Sequence, residues 1–189
     1  MNSHVTTELI GPHTDSIPEP SIRESFVDAF RRHPAGVAII TAAGEDGPVG
    51  ITSSSVMSIS ADPAVLAFSL QSLRGSAAAI AAASSFLVHL AHSDNVELAE
   101  TFATRGAVRF GADMDWSFLS TGEPFLHGTA HALRAVPLGA TACGSALIVT
   151  AEVVEVIAPT RVLSPLVYHN RAYHHLTPAT HHRSKGTPQ

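Results

Sequence analysis

The segment from Gly50 to Ser60 carries the clearest chemical signal in the sequence. Six Ser and Thr side chains lie within nine positions, in a region otherwise rich in Val, Ile and Ala. Hydroxyl groups in an apolar neighbourhood cost free energy unless they find partners. The cluster therefore predicts a ligand rich in hydrogen-bond acceptors, such as a phosphate. The alternative is a polar sheet edge whose hydroxyls bond to the local backbone.

A second candidate site lies at Arg74-Gly75-Ser76, where Ser76 is predicted to cap an alanine-rich helix running through Ala83. Helix N-termini present unpaired N–H groups and bind anions. Arg74 adds a permanent cation, and Gly75 allows a ligand to approach the backbone closely. The alternative is an ordinary helix cap beside a solvated arginine.

The elements that must position these residues are mostly short strands. Ser21 and Glu24 form a capping-box pattern before a first helix, and Asp94 with Glu97 forms a second one. Tight turns separate the strands, which favours an antiparallel sheet or barrel. Strands are predicted at 37–42, 49–60, 64–70, 86–91, 124–136, 146–157 and within 164–173, with a loop at 137–145.

Composition limits the class of protein. The chain has 189 residues, of which 45% are hydrophobic, and this suits one domain with a sizeable core. The net charge of -5 and the lack of a basic block argue against nucleic-acid binding. No apolar run approaches the roughly 20 residues of a membrane span, and the N-terminus lacks the pattern of a secretory signal. We expect an irregular arm at 1–20, one domain at 21–176 and a disordered tail at 177–189.

The single cysteine and the twelve histidines suggest no further chemistry. Cys143 allows no intrachain disulfide, which suits the cytoplasm, and is expected to be a buried spectator. His89 and His92 are three residues apart on a predicted strand and its exit, without the further ligands that a metal site needs. No metal site is predicted.

Five stretches, taken in order along residues 22–176, resemble the short-chain flavin reductases. That family supplies reduced flavin to two-component monooxygenases. The similar stretches begin at Pro34-Ala35-Gly36-Val37 and continue through the Gly50–Ser60 segment and Phe86-Leu87-Val88-His89-Leu90. The pattern ends with Trp116, Gly122, Pro124, Leu126 and Gly128, followed by Pro165-Leu166-Val167-Tyr168 and Tyr173.

The resemblance implies a mainly β fold with peripheral helices, an antiparallel split β-barrel that binds FMN, usually as a homodimer with the flavin near the subunit interface. The positions implied to contact the flavin ring, the ribityl chain or the phosphate are Thr52, Ser53, Ser54, Ser55, Ser58, Arg74, Gly75 and Ser76. Arg171 and Tyr173 are implied to lie near the flavin or nicotinamide pocket.

The implied activity is reduction of FMN (or FAD) by NADH or NADPH, with delivery of reduced flavin to a partner monooxygenase. No catalytic residue is assigned, because Gly144-Ser145-Ala146 stands where the family usually has Gly-Asp-His. Cofactors carry hydride chemistry themselves, so activity does not strictly require that pair. His127, His131 or His169 are candidates to replace the histidine. Two alternatives remain: a split barrel that binds flavin or another planar cofactor without turnover, and a fold relative with an unrelated substrate.

Overall fold

The computed structural model describes residues 20–180, in which three helices surround antiparallel sheets. The helices are α1 (Ile22–Arg31), α2 (Ser76–Ala82) and α3 (Val96–Ala103), with single 3-10 turns at Ser93–Asn95 and Pro178–Thr180. The strands are β1 (Ala35–Gly36), β2 (Ala38–Gly44), β3 (Gly47–Ser53), β4 (Met57–Ala61), β5 (Ala64–Leu70), β6 (Phe86–Leu90), β7 (Trp116–Phe118), β8 (Pro124–Leu126), β9 (Ala132–Cys143), β10 (Ala146–Ile157), β11 (Leu166–His169) and β12 (Ala172–His175). Most of the predicted arm and tail lies outside the described residues.

The main sheet has seven strands in the order β3-β2-β6-β9-β10-β5-β4, and neighbouring strands are antiparallel. Its two edge strands, β3 and β4, follow one another in the chain. Residues 54–56 therefore connect the two open edges, and the sheet curls without closing. This is the antiparallel split barrel that the sequence predicts, mainly β with peripheral helices. Two smaller sheets, β1-β11-β12 and β7-β8, lie beside it.

The main core fills the inside of the curled sheet. Phe68 of β5 and Phe86 of β6 meet edge to face, with ring centroids 5.3 Å apart. Ile80 of α2 is buried in the same cluster, together with Ile40 and Val88. Buried apolar side chains from five strands and α2 thus hold the strands together.

The predicted strand at 49–60 is wrong as a single element, because residues 54–56 leave the sheet between β3 and β4. Ser55 explains the break. Its Oγ accepts the Ser69 N–H at 2.9 Å and lies 2.9 Å from the Ser53 Oγ. These side-chain bonds replace ladder hydrogen bonds, as short polar side chains often do at turns. The hydroxyl cluster therefore lies at a corner of the sheet.

The predicted loop at 137–145 is also wrong, since β9 continues to Cys143 and only Gly144 and Ser145 form the turn into β10. Pro137 is tolerated in β9 because β6 pairs with β9 only as far as Ala135. Beyond Ala135, no β6 carbonyl requires a backbone N–H from β9, and proline has none to donate. A register shift beside Pro137 marks a bulge. Cys143 is exposed, not buried, because it lies at the end of this long hairpin.

The predicted last strand, within 164–173, is instead the hairpin β11–β12. Asn170 and Arg171 form its two-residue turn, with φ values of 50° and 64°. Two consecutive residues with positive φ are typical of the type I′ turn that closes such hairpins. The apolar-to-polar pattern alone did not reveal this turn, because the second residue is Arg and not Gly.

The helix starts were predicted with mixed success. The Ser21–Glu24 capping box before α1 is confirmed. The Asp94–Glu97 box is wrong: the His92 Nδ1 accepts the Asp94 N–H, and the Asn95 Oδ1 accepts the His92 N–H. Ser76 does not cap α2 either, since Gly75 occupies the cap position with φ of 55°. The Ser76 hydroxyl is thereby free to make another contact.

Candidate functional site

The two regions that the sequence singles out share one cleft. It has a volume of about 740 Å³ and lies where the β3–β4 corner faces the β5–α2 loop. That volume falls within the roughly 300–1,000 Å³ typical of ligand sites. The sequence-predicted residues that line it are Thr52, Ser53, Ser54, Ser55, Arg74, Gly75 and Ser76. The structure thus brings together the hydroxyl cluster and the Arg-Gly-Ser segment.

The hydroxyls of this corner divide into two groups. Thr52 Oγ1 donates to the Ala99 carbonyl at 2.6 Å, and Ser53 and Ser55 bond to each other. These three hydroxyls already satisfy one another or nearby backbone, as the structural alternative predicts. Ser54 is exposed and has no side-chain hydrogen bond within residues 20–180. Ser54 therefore remains available to a ligand.

Two arginines that no sequence pattern indicated, Arg105 and Arg109, follow α3 and line the cleft together with Arg74. Arg109 donates from Nη1 to the Ser76 Oγ at 3.2 Å, and so links α3 to the start of α2. The three arginines give the cleft a positive charge, and its lining contains no carboxylate. No sequence motif marks Arg105 and Arg109, because the loop that carries them has no regular pattern.

An apolar wall completes the cleft. Phe102 of α3 is buried, yet its ring also borders the cleft, beside Ile51 and Leu70. Gly50 permits this arrangement, since a Cβ there would lie 2.5 Å from the Phe102 Cε1. The cleft lining therefore combines apolar side chains with hydroxyl and guanidinium groups. Among residues 20–180, Phe102 continues into an aromatic series with Phe110 and Trp116.

Three predicted site residues lie outside the lining of this cleft. Ser58 is exposed on β4, where its backbone pairs with Leu66. Arg171 forms the β11–β12 turn. Tyr173 packs on the small core around Val37, and burial raises its pKa above the ordinary value, with Tyr168 and Glu100 adding to the rise. Their predicted role at the flavin or nicotinamide pocket stays a prediction.

His89 belongs to a buried polar cluster rather than to the cleft. Its Nε2 lies 3.1 Å from the Thr41 Oγ1, and its Nδ1 lies 3.4 Å from the Thr129 Oγ1. The Thr41 hydroxyl donates its only proton to the Pro124 carbonyl. In the hydrogen bond between Thr41 and His89, the His89 Nε2–H is therefore the donor and the Thr41 Oγ1 the acceptor. Burial lowers the pKa of His89 to about 4, and the ring is neutral at pH 7.

Within residues 20–180, no group of three His, Cys, Asp or Glu side chains is placed to hold a metal.

A second buried network surrounds Glu123, which the sequence analysis also missed. Arg134 donates from Nε to Glu123 Oε1 at 2.7 Å, Ser85 donates to the same oxygen, and Thr121 donates to Oε2. Burial alone would raise the pKa of Glu123, but the hydrogen bonds from Ser85 and Thr121, with the charge of Arg134, lower it below its usual value. The carboxylate is fully paired, which indicates a structural role.

The missing Asp-His pair belongs at residues 144–146, which do not line the cleft. The three histidines considered as replacements for it do not line the cleft either. Residues 144–146 form the β9–β10 turn and the first residue of β10. His127 borders a smaller pocket of about 260 Å³, where Ser117 lies 2.9 Å from its Nε2. Neither His131 nor His169 lines the main cleft. Within the residues that the structure describes, no histidine borders the cleft.

Comparison with known proteins agrees with this geometry. Residues 30–177 match the family model described as flavin reductase like domain. An NADH:FMN oxidoreductase of Rhodococcus qingshengii is 34% identical over 94% of this chain and 95% of its own length. The reductase component of a 4-nitrophenol 4-monooxygenase/4-nitrocatechol 2-monooxygenase from Rhodococcus opacus is 31% identical over 90% of each chain.

The solved structures give the same result. A flavin reductase domain protein from an Arthrobacter species superposes with a TM-score of 0.77 at 35% identity, over 83% of this chain and 97% of that one. With the family match and these relatives, the chain belongs to the flavin reductase family. The resemblance found in the sequence is confirmed.

Among residues 20–180, the longest helices fall short of the length and apolarity needed to cross a bilayer.

Proposed function

We propose that this protein reduces FMN (or FAD) with NADH or NADPH. The observation that carries the proposal is the single cleft in which the hydroxyl corner of β3–β4 meets three arginines. Its membership of the flavin reductase family and its similarity to the Rhodococcus NADH:FMN oxidoreductase support the same activity. The substrates are therefore a flavin and a nicotinamide coenzyme.

The donor set of the cleft fits a phosphorylated flavin. A flavin combines a planar ring with a polar edge and an anionic phosphate. The cleft offers apolar Phe102, Ile51 and Leu70 to the planar ring. It offers hydroxyl groups and arginines to the polar edge and the phosphate. The cationic groups have no carboxylate beside them in the lining, which leaves them able to hold a phosphate.

We assign roles to the chain's own residues accordingly. Bound flavin supplies the hydride acceptor, and the protein binds it and orients its face towards the nicotinamide. Ser54 donates to an acceptor on the ring or the ribityl chain, since its hydroxyl is free. Arg74 and the Ser76 hydroxyl contact the phosphate. Thr52, Ser53 and Ser55 fix the shape of the corner through their mutual and backbone bonds.

The proposed assembly is a homodimer with the flavin near the interface. The long strands β9 and β10 expose large apolar side chains, among them Leu138 at 57% and Val156 at 57%. Met57 and Ile59 on the edge strand β4 are also more than half exposed. Large contiguous apolar patches are rare on monomeric proteins and mark interaction surfaces. In the dimer, we propose that Ser58, Arg171 and Tyr173 lie near the coenzyme pocket.

The product of the reaction is proposed to serve a partner monooxygenase. The similarity to the Rhodococcus opacus reductase component supports this role. The open cleft also suits a flavin that enters and leaves, because a transferred flavin must dissociate from the reductase. The proposed location is the cytoplasm, where a single exposed thiol such as Cys143 stays reduced.

A second candidate function is binding of flavin without turnover. The observation that favours it is Gly144-Ser145-Ala146, which removes both the acid and the histidine expected at the start of β10. No histidine among the described residues lines the cleft in their place. Such a protein would hold FMN and never pass it a hydride.

One anaerobic experiment separates the two functions. The purified protein is mixed with FMN, and NADH or NADPH is added while the visible absorbance of the flavin is followed. We expect that absorbance to bleach at a rate proportional to protein concentration. Flavin that binds but stays oxidised would favour the second function, and flavin that does not bind would contradict both.

A further inference from the structure

A second pocket, of about 260 Å³, lies between β8 and the segment that follows β10. Side chains alternate in direction along a strand. Phe125 of β8 and His127 just after it line this pocket, whereas Leu126 between them is buried together with Phe102, which borders the cleft. The linings of the pocket and of the cleft have no residue in common. The pocket is therefore a separate site from the one assigned to the flavin.

The walls of this second pocket suit a small apolar group. The rings of Phe125 and His127 meet edge to face, with centroids 4.8 Å apart and an interplanar angle of 86°. The end of β10 and the residues after it add apolar surface from Ile157, Pro159 and Leu163. The volume lies below the roughly 300–1,000 Å³ of typical ligand pockets, so only a compact ligand fits.

The polar groups at the β8 end of the pocket are already paired. The Gly128 carbonyl accepts from the His92 Nε2–H at 2.6 Å and from the Asn95 Nδ2 at 3.2 Å. The Thr129 hydroxyl is buried and donates to the Leu126 carbonyl at 3.2 Å. The lining contains no carboxylate side chain that would repel an anion.

The unpaired polar groups of the pocket are hydrogen-bond donors. The Arg161 Nη2 lies 3.9 Å from an Asp94 oxygen, but both side chains are more than 70% exposed, and such a pair is weak. The His127 Nε2 lies 2.9 Å from the Ser117 Oγ, while its Nδ1 makes no hydrogen bond among residues 20–180. If Ser117 donates to Nε2, Nδ1 carries the ring proton. A guanidinium and an imidazole N–H together favour an anionic acceptor.

We propose that this second pocket binds a small organic carboxylate, with its apolar body against Phe125 and its carboxylate on Arg161 and His127. The inference goes beyond the proposed function and does not depend on it. A neutral ligand of the same shape fills the apolar part of the pocket but makes no charge-assisted hydrogen bond with the guanidinium. It is therefore bound more weakly.

The test compares benzoate with benzamide, which have nearly the same shape but differ in charge. Both are titrated into the wild-type protein and into Arg161→Gln by isothermal titration calorimetry at pH 7. We expect wild type to bind benzoate roughly tenfold more tightly than benzamide, because only benzoate forms charge-assisted bonds. In Arg161→Gln the Kd for benzoate should rise roughly tenfold, while the Kd for benzamide stays unchanged.

A second variant tests the imidazole. His127→Phe keeps an aromatic ring beside Phe125 and removes the ring N–H. The Kd for benzoate should rise roughly fivefold, as expected for the loss of one hydrogen bond to a charged group. Both Arg161 and His127 are exposed, so both variants should fold, and thermal unfolding checks this.

The matched control is Arg105→Gln, which removes the same charge from the cleft instead of the pocket. Arg105 is exposed and lines the cleft beside the other two arginines. Benzoate affinity should be the same in Arg105→Gln as in wild type. The control detects an anion that simply enters the arginine-rich cleft.

Three outcomes would overturn the proposal. Wild-type protein that gives no heat of binding with benzoate would refute the site. Equal affinity for benzoate and benzamide would refute its selectivity for anions. Affinity lost in Arg105→Gln and kept in Arg161→Gln would place the carboxylate in the cleft. The reduction of FMN is measured without benzoate, so none of these results bears on the proposed function.

Discussion

Two polar regions of this protein differ in how their charges are matched. In the network around Glu123, every carboxylate oxygen has a donor and Arg134 has its acceptor. In the cleft, none of the three arginines is paired with a carboxylate and the Ser54 hydroxyl makes no hydrogen bond, among residues 20–180. Folding has satisfied the first region, and the second retains capacity for a ligand. Complete pairing of charges therefore marks a structural cluster, and unpaired charges in a cleft mark a binding site.

The largest expected effect concerns the paired region. Replacing Glu123 by Ala removes the acceptor of Ser85, Thr121 and Arg134 at once, and should lower the free energy of unfolding by about 3 kcal/mol. Urea denaturation measures this change. The affinity of the folded variant for FMN should not change, because none of the four residues lines the cleft.

The matched control for that variant is Glu45→Gln, since Glu45 is exposed in the β2–β3 turn. Its stability should stay within about 0.5 kcal/mol of wild type. Glu123→Ala with unchanged stability, or with selectively lost FMN binding, would contradict the division into a structural and a binding region.

The buried histidine gives the next effect, which depends on pH. The folded pKa of His89 is about 4 and the ordinary value is 6.5, so between these values the unfolded chain binds a proton that the folded chain excludes. Stability is therefore full above pH 6.5 and falls as the pH drops towards 4, by about 3 kcal/mol in total. Denaturation at a series of pH values measures the slope.

The control is His89→Asn, which keeps a polar side chain among Thr41 and Thr129 but does not titrate. Its stability should vary less with pH over the same interval. If the stability of the wild type and of the variant depends on pH in the same way, His89 is not the group responsible. The pKa of His89 would then not be lowered by burial.

A third prediction tests how the fold shapes the cleft. Gly50→Ala places a methyl group 2.5 Å from the Phe102 Cε1, so the ring must move. Overpacking of this kind costs about 1–3 kcal/mol, and the displaced ring should also weaken FMN binding. Gly36→Ala is the control, since a Cβ there has nothing within 4 Å. Equal behaviour of the two variants would contradict the close packing of α3 on β3.

The smallest effect separates two neighbouring hydroxyls. Ser55→Ala loses bonds to Ser53 and Ser69 and should cost about 1 kcal/mol of stability. Ser54→Ala loses no bond within the described residues, so its stability should match wild type while its Kd for FMN rises roughly fivefold. The reverse pattern would mean that the two roles are exchanged.

The sequence predicted the architecture better than the site. Alternating apolar residues and turn signals located most strands, and five ordered motifs indicated the family. The corner at residues 54–56 escaped the pattern because Ser55 replaces backbone bonds with its side chain, which no periodicity records. The β11–β12 turn escaped it because Arg171 takes a positive φ that Gly usually supplies.

Within the site, the sequence located the residues that are adjacent in the chain and missed those that converge only through folding. Thr52 to Ser55 and Arg74 to Ser76 form contiguous motifs, and the structure places them on one cleft. Arg109 reaches the same cleft from an irregular loop, and only the contact with Ser76 shows its relevance. Glu123 was missed for the same reason, since its partners lie on three different segments.

The central claim is that the cleft between the β3–β4 corner and α2 binds a phosphorylated flavin. A crystal structure of the protein with FMN tests it most directly. We predict the phosphate within hydrogen-bond distance of the Arg109 guanidinium and the ring beside Ser54 and Phe102. FMN bound elsewhere, with the three arginines facing only solvent, would contradict the account.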